Sequence, residues 1–265
     1  MYWEVGHYIN VNVLGDKRAG YGKKILPALS AKLIIFTNQK MKRTNKMNTN
    51  TLKTTLLQRG ATIIGYGDLS ELPSDIRHNL PTGISIAVKF SNDVIKTITE
   101  HPTIEYMNQR SELDNLLDDL ATIGTKILQE QGYQAIAQTR DILPTLPHKT
   151  VATRAGIGWI GKSAMLTTEE YGSMIRISSI LTDAPLPTAS PINESRCGNC
   201  VECQKHCPAQ AVKGNLWEVP SQCYDLFDAE ACRETSRGLS KRYLNENISI
   251  CGKCIVSCPY TKRCL

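Results

Sequence analysis

The sequence predicts an α+β protein in two parts. An alternating helix-and-strand region covers 47–190, and a compact cysteine-rich region covers 191–265. Three observations carry this. From residue 47 onward amphipathic stretches alternate with short β-branched runs. All ten cysteines fall after residue 196. The net charge of +6 sits at one end: residues 1–46 hold nine Lys and Arg against two acids, a net of +7. The other 22 cations and 23 acids leave 47–265 at −1. A chain of 265 residues can bury a core without disulfide staples. Its 41% hydrophobic and 21% charged content excludes a disordered chain, and no run approaches 18 consecutive apolar residues.

Residues 1–46 carry short apolar blocks, around Tyr8–Val13 and Lys32–Phe36, interrupted by polar residues and lysines. They match no secretory signal and read as a basic extension outside the fold, with Met41 and Met47 as later starts. The elements then follow in order. Residues 50–58 form an amphipathic helix that Arg59-Gly60 ends. The apolar run 61–67 is a buried strand, Leu80-Pro81-Thr82 a turn, and 83–90 a second strand. A long helix over 111–131 presents Leu113, Leu116, Leu117, Leu120, Ile123, Ile127 and Leu128 on one face, and Gly132 stops it. A strand at 135–137 precedes a stretch broken by Pro144 and Pro147, and 174–182 is the last strand.

Gly156-Ile157-Gly158-Trp159-Ile160-Gly161 spells the dinucleotide fingerprint, and Asp183 lies 22 residues beyond Gly161. A dinucleotide turn needs a hydrophobic strand before it, whereas 147–150 is polar and begins with proline. The segment reads instead as a tight glycine turn that lets another group approach the backbone.

The cysteine-rich region supplies the sharpest signal. Cys197-x2-Cys200-x2-Cys203-x3-Cys207-Pro208 is the spacing that holds [4Fe–4S] clusters in bacterial ferredoxins. Three thiolates wrap one cube and the fourth points to a second. Cys251-x2-Cys254-x3-Cys258-Pro259 repeats the motif, but Ile248 stands where its first cysteine belongs. The crossing pattern assigns Cys197, Cys200, Cys203 and Cys258 to one cluster, and Cys207, Cys251 and Cys254 to the other. Cys232 is the first choice for the missing ligand and Cys223 the second; Cys264 is a bystander. Structural zinc has no use for the third cysteine or the Cys-Pro, and disulfides need an oxidising compartment.

The glycine segment with its Arg154 and Lys162, then Glu170–Ser173, Ile180–Leu186 and the two cysteine motifs, resembles the epoxyqueuosine reductase family over 47–265. The resemblance implies a nitroreductase-like α/β domain that binds cobalamin, beside a two-cluster ferredoxin-type domain. Gly156, Gly158, Trp159, Gly161 and Lys162 are then implied as corrinoid contacts, and Asp141 as the proton donor. It further implies a cytoplasmic enzyme of queuosine biosynthesis, fed by reduced ferredoxin or flavodoxin, with tRNA among the candidate partners. Three departures stand beside it. Asp141 lies in Arg140-Asp141-Ile142-Leu143-Pro144, a shifted match without the family's small residues. The chain ends seven residues after Cys258, as expected of relatives lacking the C-terminal helical-repeat domain. The near-neutral 47–265 lacks an overall phosphate-neutralising charge. Lys205, Arg233, Arg237, Lys241 and Arg242 read as a solvated helix face, His148 as a turn residue, His206 as a cluster-loop residue that faces solvent or tunes the potential, and Trp159 and Trp217 as packing residues. Two rivals remain: a non-catalytic electron-transfer module, and a flavin-containing iron–sulfur reductase.

Overall fold

The computed structural model describes residues 49–141 and 145–265; the basic extension lies outside them, as do Ile142, Leu143 and Pro144. Helix α1 (Thr49–Gln58) leads into strands β1 (Ile63–Asp68) and β2 (Thr82–Lys89), the short helix α2 (Asn92–Thr97) and the long helix α3 (Ile104–Glu130). Strand β3 (Ala135–Gln138), helix α4 (His148–Arg154), the two-residue strands β4 (Trp159–Ile160) and β5 (Leu166–Thr167), and strand β6 (Ile175–Thr182) follow. The cysteine-rich region contributes only helices: α5 (Glu202–Lys205), α6 (Cys223–Leu226), α7 (Ala229–Leu244), α8 (Lys253–Val256) and α9 (Pro259–Lys262).

The main sheet runs β1-β2-β6-β3, and every pairing is antiparallel. Its two faces differ in side-chain size, because strand residues alternate between them. Large side chains such as Ile84, Ile86 and Ile180 are fully buried, as are Leu52 and Leu56 of α1 and Leu120 and Leu128 of α3. Helix α3 settles closely on β6: a Cβ on Gly124 would lie 2.6 Å from Ile180 Cδ1. Small residues occupy alternate positions on the strands, with Gly65 opposite Ser85, Gly67 opposite Gly83, and Ser85 opposite Ser179. That absence of bulk lets the end of α4 press against β1, where a Cβ on Gly67 would sit 2.7 Å from the Ala155 nitrogen.

Helix α3 begins seven residues before its expected start. The Thr103 hydroxyl accepts from the Tyr106 amide, and Tyr106 is buried against Phe90, so polar residues are carried into an extra turn. Its most buried line is Leu117, Leu120, Ala121, Gly124 and Leu128; the expected Leu113, Leu116, Ile123 and Ile127 lie on the half-buried flanks. Helix α4 occupies the stretch expected to be broken, with Pro147 at its N-cap position, where proline's lack of an N–H costs nothing.

Residues Asn48–Leu265 form one compact unit. Two hydrophobic clusters draw on both sides of residue 190. One joins Ala87, Ala152 and Trp159 to Trp217 and Leu226, and the other joins Phe90, Ile95 and Tyr106 to Ile250 and Ile255. Four of the five cysteine-rich helices have only four residues each, too few to bury a core alone, and the region completes the core built on the sheet. Among the described residues no helix is long and apolar enough to cross a membrane.

Candidate functional site: two thiol-lined cavities

Each cysteine motif folds as a loop, a one-turn helix and a Cys-Pro. In the first, the Cys200 amide bonds the Cys197 carbonyl, α5 follows, and Cys207 closes the turn. In the second, Gly252 at φ 83° opens the turn, α8 follows, and Pro259 starts α9 directly after Cys258. Helices α5 and α8 touch, so the motifs face each other. Helix α7 brings a further thiol: Asp228 caps it by accepting from the Glu230 and Ala231 amides, which sets Cys232 in its first turn.

Two cavities result. One, of about 210 Å³, is bordered by Cys197, Cys200, Cys203 and Cys258, with Gly161, Lys162, Arg196 and Arg263 among its other walls. The second, of about 150 Å³, is bordered by Cys207, Cys232, Cys251 and Cys254. Cys254 touches both, but the thiols acting on it most strongly are Cys251 and Cys232, which places it with the second set. Cys223 is exposed on α6 and borders neither cavity. Cys264 borders neither; its thiol donates to the carbonyls of Glu170 and Tyr260. All ten cysteines are free thiols. Among the described residues no three His, Cys, Asp or Glu side chains converge tightly enough for a single metal ion. A tetrahedral zinc site would need sulfurs about 3.8 Å apart, the edge of a tetrahedron with 2.3 Å bonds.

Electrostatics follows the grouping except at Cys254, which Cys203 of the first set also pushes up. Burial pushes the Cys203 thiol up to about 11, with Cys197, Cys200 and Cys258 adding to the rise. Burial also pushes up Cys254, Cys251 and Cys232; Cys207 adds to all three, and Cys232 to the first two. Clustered thiols resist losing protons together unless a cation joins them, and metal binding displaces those protons. The Ala211 amide donates to Cys207 Sγ at 3.3 Å. Around the first cavity Arg196 lies over the Trp159 ring at 5.5 Å and Arg263 over Tyr260 at 4.6 Å; both approach Glu169.

The glycine segment forms the hairpin β4–β5, with Trp159 opposite Thr167 and Ile160 opposite Leu166. It follows a helix rather than a strand. Gly158 is required by close approach, since a Cβ there would lie 2.4 Å from the Thr167 oxygen. Trp159 is 1% exposed and packs edge-on against Tyr260. Gly156 abuts Ser190 and Ala189. Of the five residues singled out in this segment, Gly161 and Lys162 border the first thiol-lined cavity, and the other three border neither. A Cβ on Gly161 would be 3.6 Å from Cys197 Sγ.

Asp141 is exposed at the edge of the undescribed 142–144, beside Arg140, whose guanidinium holds Asp118 and Asn115. The sequence reading missed Lys149: it lies on α4, donates to the Ala164 carbonyl at 2.7 Å and borders the second cavity. Burial pushes its ammonium down, and its one charged perturbing neighbour is Cys223. Only its place in a helix could have signalled it. His148 faces the sheet, with Nδ1 2.8 Å from Ser179 Oγ, which also accepts from Gln138 Nε2. His206 is exposed and Trp217 buried. Lys205, Arg233, Arg237, Lys241 and Arg242 are all exposed; Arg233 pairs with Glu230.

No protein-family model matches the chain. Among curated proteins, the epoxyqueuosine reductase of Listeria monocytogenes is 34% identical over 115 residues, 42% of this chain and 29% of that protein. That of Escherichia coli is 26% identical over 206 residues, 74% of this chain and 53% of that protein. The chain is a relative of the epoxyqueuosine reductases. It spans about half or less of the length of these relatives. Among solved structures, a catabolic reductive dehalogenase shares its fold at a TM-score of 0.65 and 16% identity, over 83% of this chain and 32% of that one. The epoxyqueuosine reductase of Streptococcus thermophilus shares it at 0.50 and 19% identity, over 82% and 67%. An epoxyqueuosine reductase solved with an epoxyqueuosine-modified tRNA-Tyr stem loop also scores 0.50, at 21% identity over 80% and 65%.

Proposed function

We propose that this chain is an iron–sulfur oxidoreductase of the epoxyqueuosine reductase kind. Cys197, Cys200, Cys203 and Cys258 bind one [4Fe–4S] cluster; Cys207, Cys232, Cys251 and Cys254 bind a second. The finer fold reading, a nitroreductase-like sheet domain completed by a ferredoxin-type region, belongs to the same proposal. One observation carries it: eight thiols divide into two sets of four around two adjacent cavities, with Cys258 and Cys207 crossing between the motifs. Four thiols around each cavity match the ligand number of a [4Fe–4S] cube. The clusters supply one-electron steps; the protein supplies the thiolates, a shell shielded from water and the charge around it.

The corrinoid implied by kinship does not fit three of the five residues named for it. Gly158 is buried, Trp159 is buried with its indole N–H unpartnered, and half-buried Gly156 borders neither thiol-lined cavity. The cavity reached by Gly161 and Lys162, about 210 Å³, falls below the ~300–1,000 Å³ of ordinary small-molecule pockets. No step is therefore routed through a corrinoid held by this segment, and Asp141 stays a proposed proton donor on kinship alone. The outer face of α7, directly behind Cys232, carries exposed Arg233, Arg237, Lys241 and Arg242. It suits an acidic donor such as reduced ferredoxin or flavodoxin. A modified tRNA as substrate follows from the relatives by the same proposal.

Anaerobic purification and reconstitution, with iron, sulfide and zinc quantified and cobalamin titrated, tests the reading. It expects about eight irons per chain; stoichiometric zinc without sulfide overturns it. Eight irons without cobalamin binding convert the reading to the electron-transfer module. A bound chromophore absorbing in the flavin bands converts it to the flavin reductase.

A further inference from the structure

Lys162 sits at the tip of the β4–β5 hairpin. The Gly161 amide bonds the Met165 carbonyl, and the Ala164 amide bonds the Gly161 carbonyl, so the turn is fixed. Lys162 is only 6% exposed and borders the cavity of Cys197, Cys200, Cys203 and Cys258. No ion pair or hydrogen bond of its side chain exists among the described residues. The described residues offer it no acidic partner, and the cavity it borders is lined by thiols that would be negative with a cluster bound. Lys149, half-buried, borders the other cavity, where its ammonium donates to the Ala164 carbonyl and meets no carboxylate. The remaining cations near the cavities have acids of their own: Arg196 and Arg263 share Glu169, and Lys253 approaches Glu100.

We propose that Lys162 and Lys149 are internal counter-cations, one for each cluster, that hold the cluster reduction potentials up. The inference rests on the two-cluster reading. Four thiolates around a cube give a net anion that gains further negative charge on reduction, and a fixed nearby cation favours the reduced form. Each lysine is thus a positioning residue of charge; neither exchanges an electron or a proton.

The test is an EPR-monitored potentiometric titration of the reconstituted protein, with iron counted first. Wild-type protein that fails to hold about eight irons overturns the two-cluster reading itself, before any lysine is changed. With eight irons present, Lys162→Met is expected to keep its iron. It should show a reduced-to-oxidised ratio at least tenfold lower at the wild-type midpoint, a downward shift of about 59 mV for a one-electron couple. Lys162→Arg should stay near wild type, and Lys149→Met should lower the other signal. Full iron with an unmoved midpoint in Lys162→Met overturns the inference, and so does an equal shift in Lys162→Arg. If Lys162→Met takes up no iron, Lys162→Arg decides. Assembly in the arginine protein supports a charge role, and failure in both overturns it in favour of packing.

Discussion

Replacing Cys232 by alanine separates the displaced-ligand assignment from its rival at Cys223. Cys232 is one of four thiols on the second cavity, so its loss leaves Cys207, Cys251 and Cys254 unable to complete a cube. Iron should fall from about eight to about four per chain, a halving, while the first cavity keeps its own four thiols. The helix that carries Cys232 should survive. Ser240 Oγ donates to the Ile250 carbonyl at 3.0 Å and Ser236 Oγ pairs with Ser249 Oγ at 2.6 Å. Those bonds contribute about 0.5–1.5 kcal/mol each and do not involve the cysteine. Iron and sulfide assays, EPR spin counting and far-ultraviolet circular dichroism on the same samples read the three expectations. Cys223→Ala, at an exposed site, should leave all of them at wild-type values. Halved iron in Cys223→Ala, or a full complement in Cys232→Ala, refutes the reasoning.

Three further outcomes follow from the packing and the titratable groups. Gly158→Ala forces a Cβ to 2.4 Å from the Thr167 oxygen; overpacking of this kind costs about 1–3 kcal/mol, read as a lower Tm. Leu120→Ala, at a fully buried contact between α3 and the sheet, should cost about 2–5 kcal/mol while leaving iron content intact, measured by urea titration. Burial, joined by the Arg176 charge, holds His148 below the usual histidine range, with Asp118 opposing. The unfolded chain therefore binds the extra proton first. Stability attached to the neutral ring is complete above the unfolded value near 6.5 and is lost as pH falls from there toward the folded one. Melts at pH 7 and pH 5 should thus differ less in His148→Gln than in wild type, and an equal loss refutes the assignment.

Much of the fold was legible because one signal dominated each segment. Strands β2 and β6 match their expected limits to within one residue, since both are bounded runs of β-branched and apolar residues. Helix α4 was not legible: its seven residues are mostly polar, its start carries a proline, and its burial comes from the glycine-lined strands it meets. The β4–β5 hairpin escaped for a related reason. Two-residue strands have no periodicity, and tertiary contact alone makes them strands. The cysteine spacing could be read as geometry, because backbone turns dictate where consecutive thiols can point. Lys149 and Lys162 could not be read as neighbours of the thiols, since nothing local marks a lysine whose ammonium points inward.

The hairpin also explains why the cysteine-rich region does not stand apart from the sheet. Trp159 anchors its first strand in the cluster that includes Ala87 of β2 and Trp217 beyond the cysteine motif. Its tip then reaches between the cavities, where Ser163 borders both. Cys254 borders both as well, so a single thiol and a single turn separate the two sets of four. On the proposed assignment the two cluster sites would share these walls, and Gly158 and Gly161 would tie both to the sheet. A lengthened hairpin tip would therefore disturb both sites at once. Gly238→Ala, on the exposed side of helix α7 where a Cβ meets nothing within 4 Å, would disturb neither.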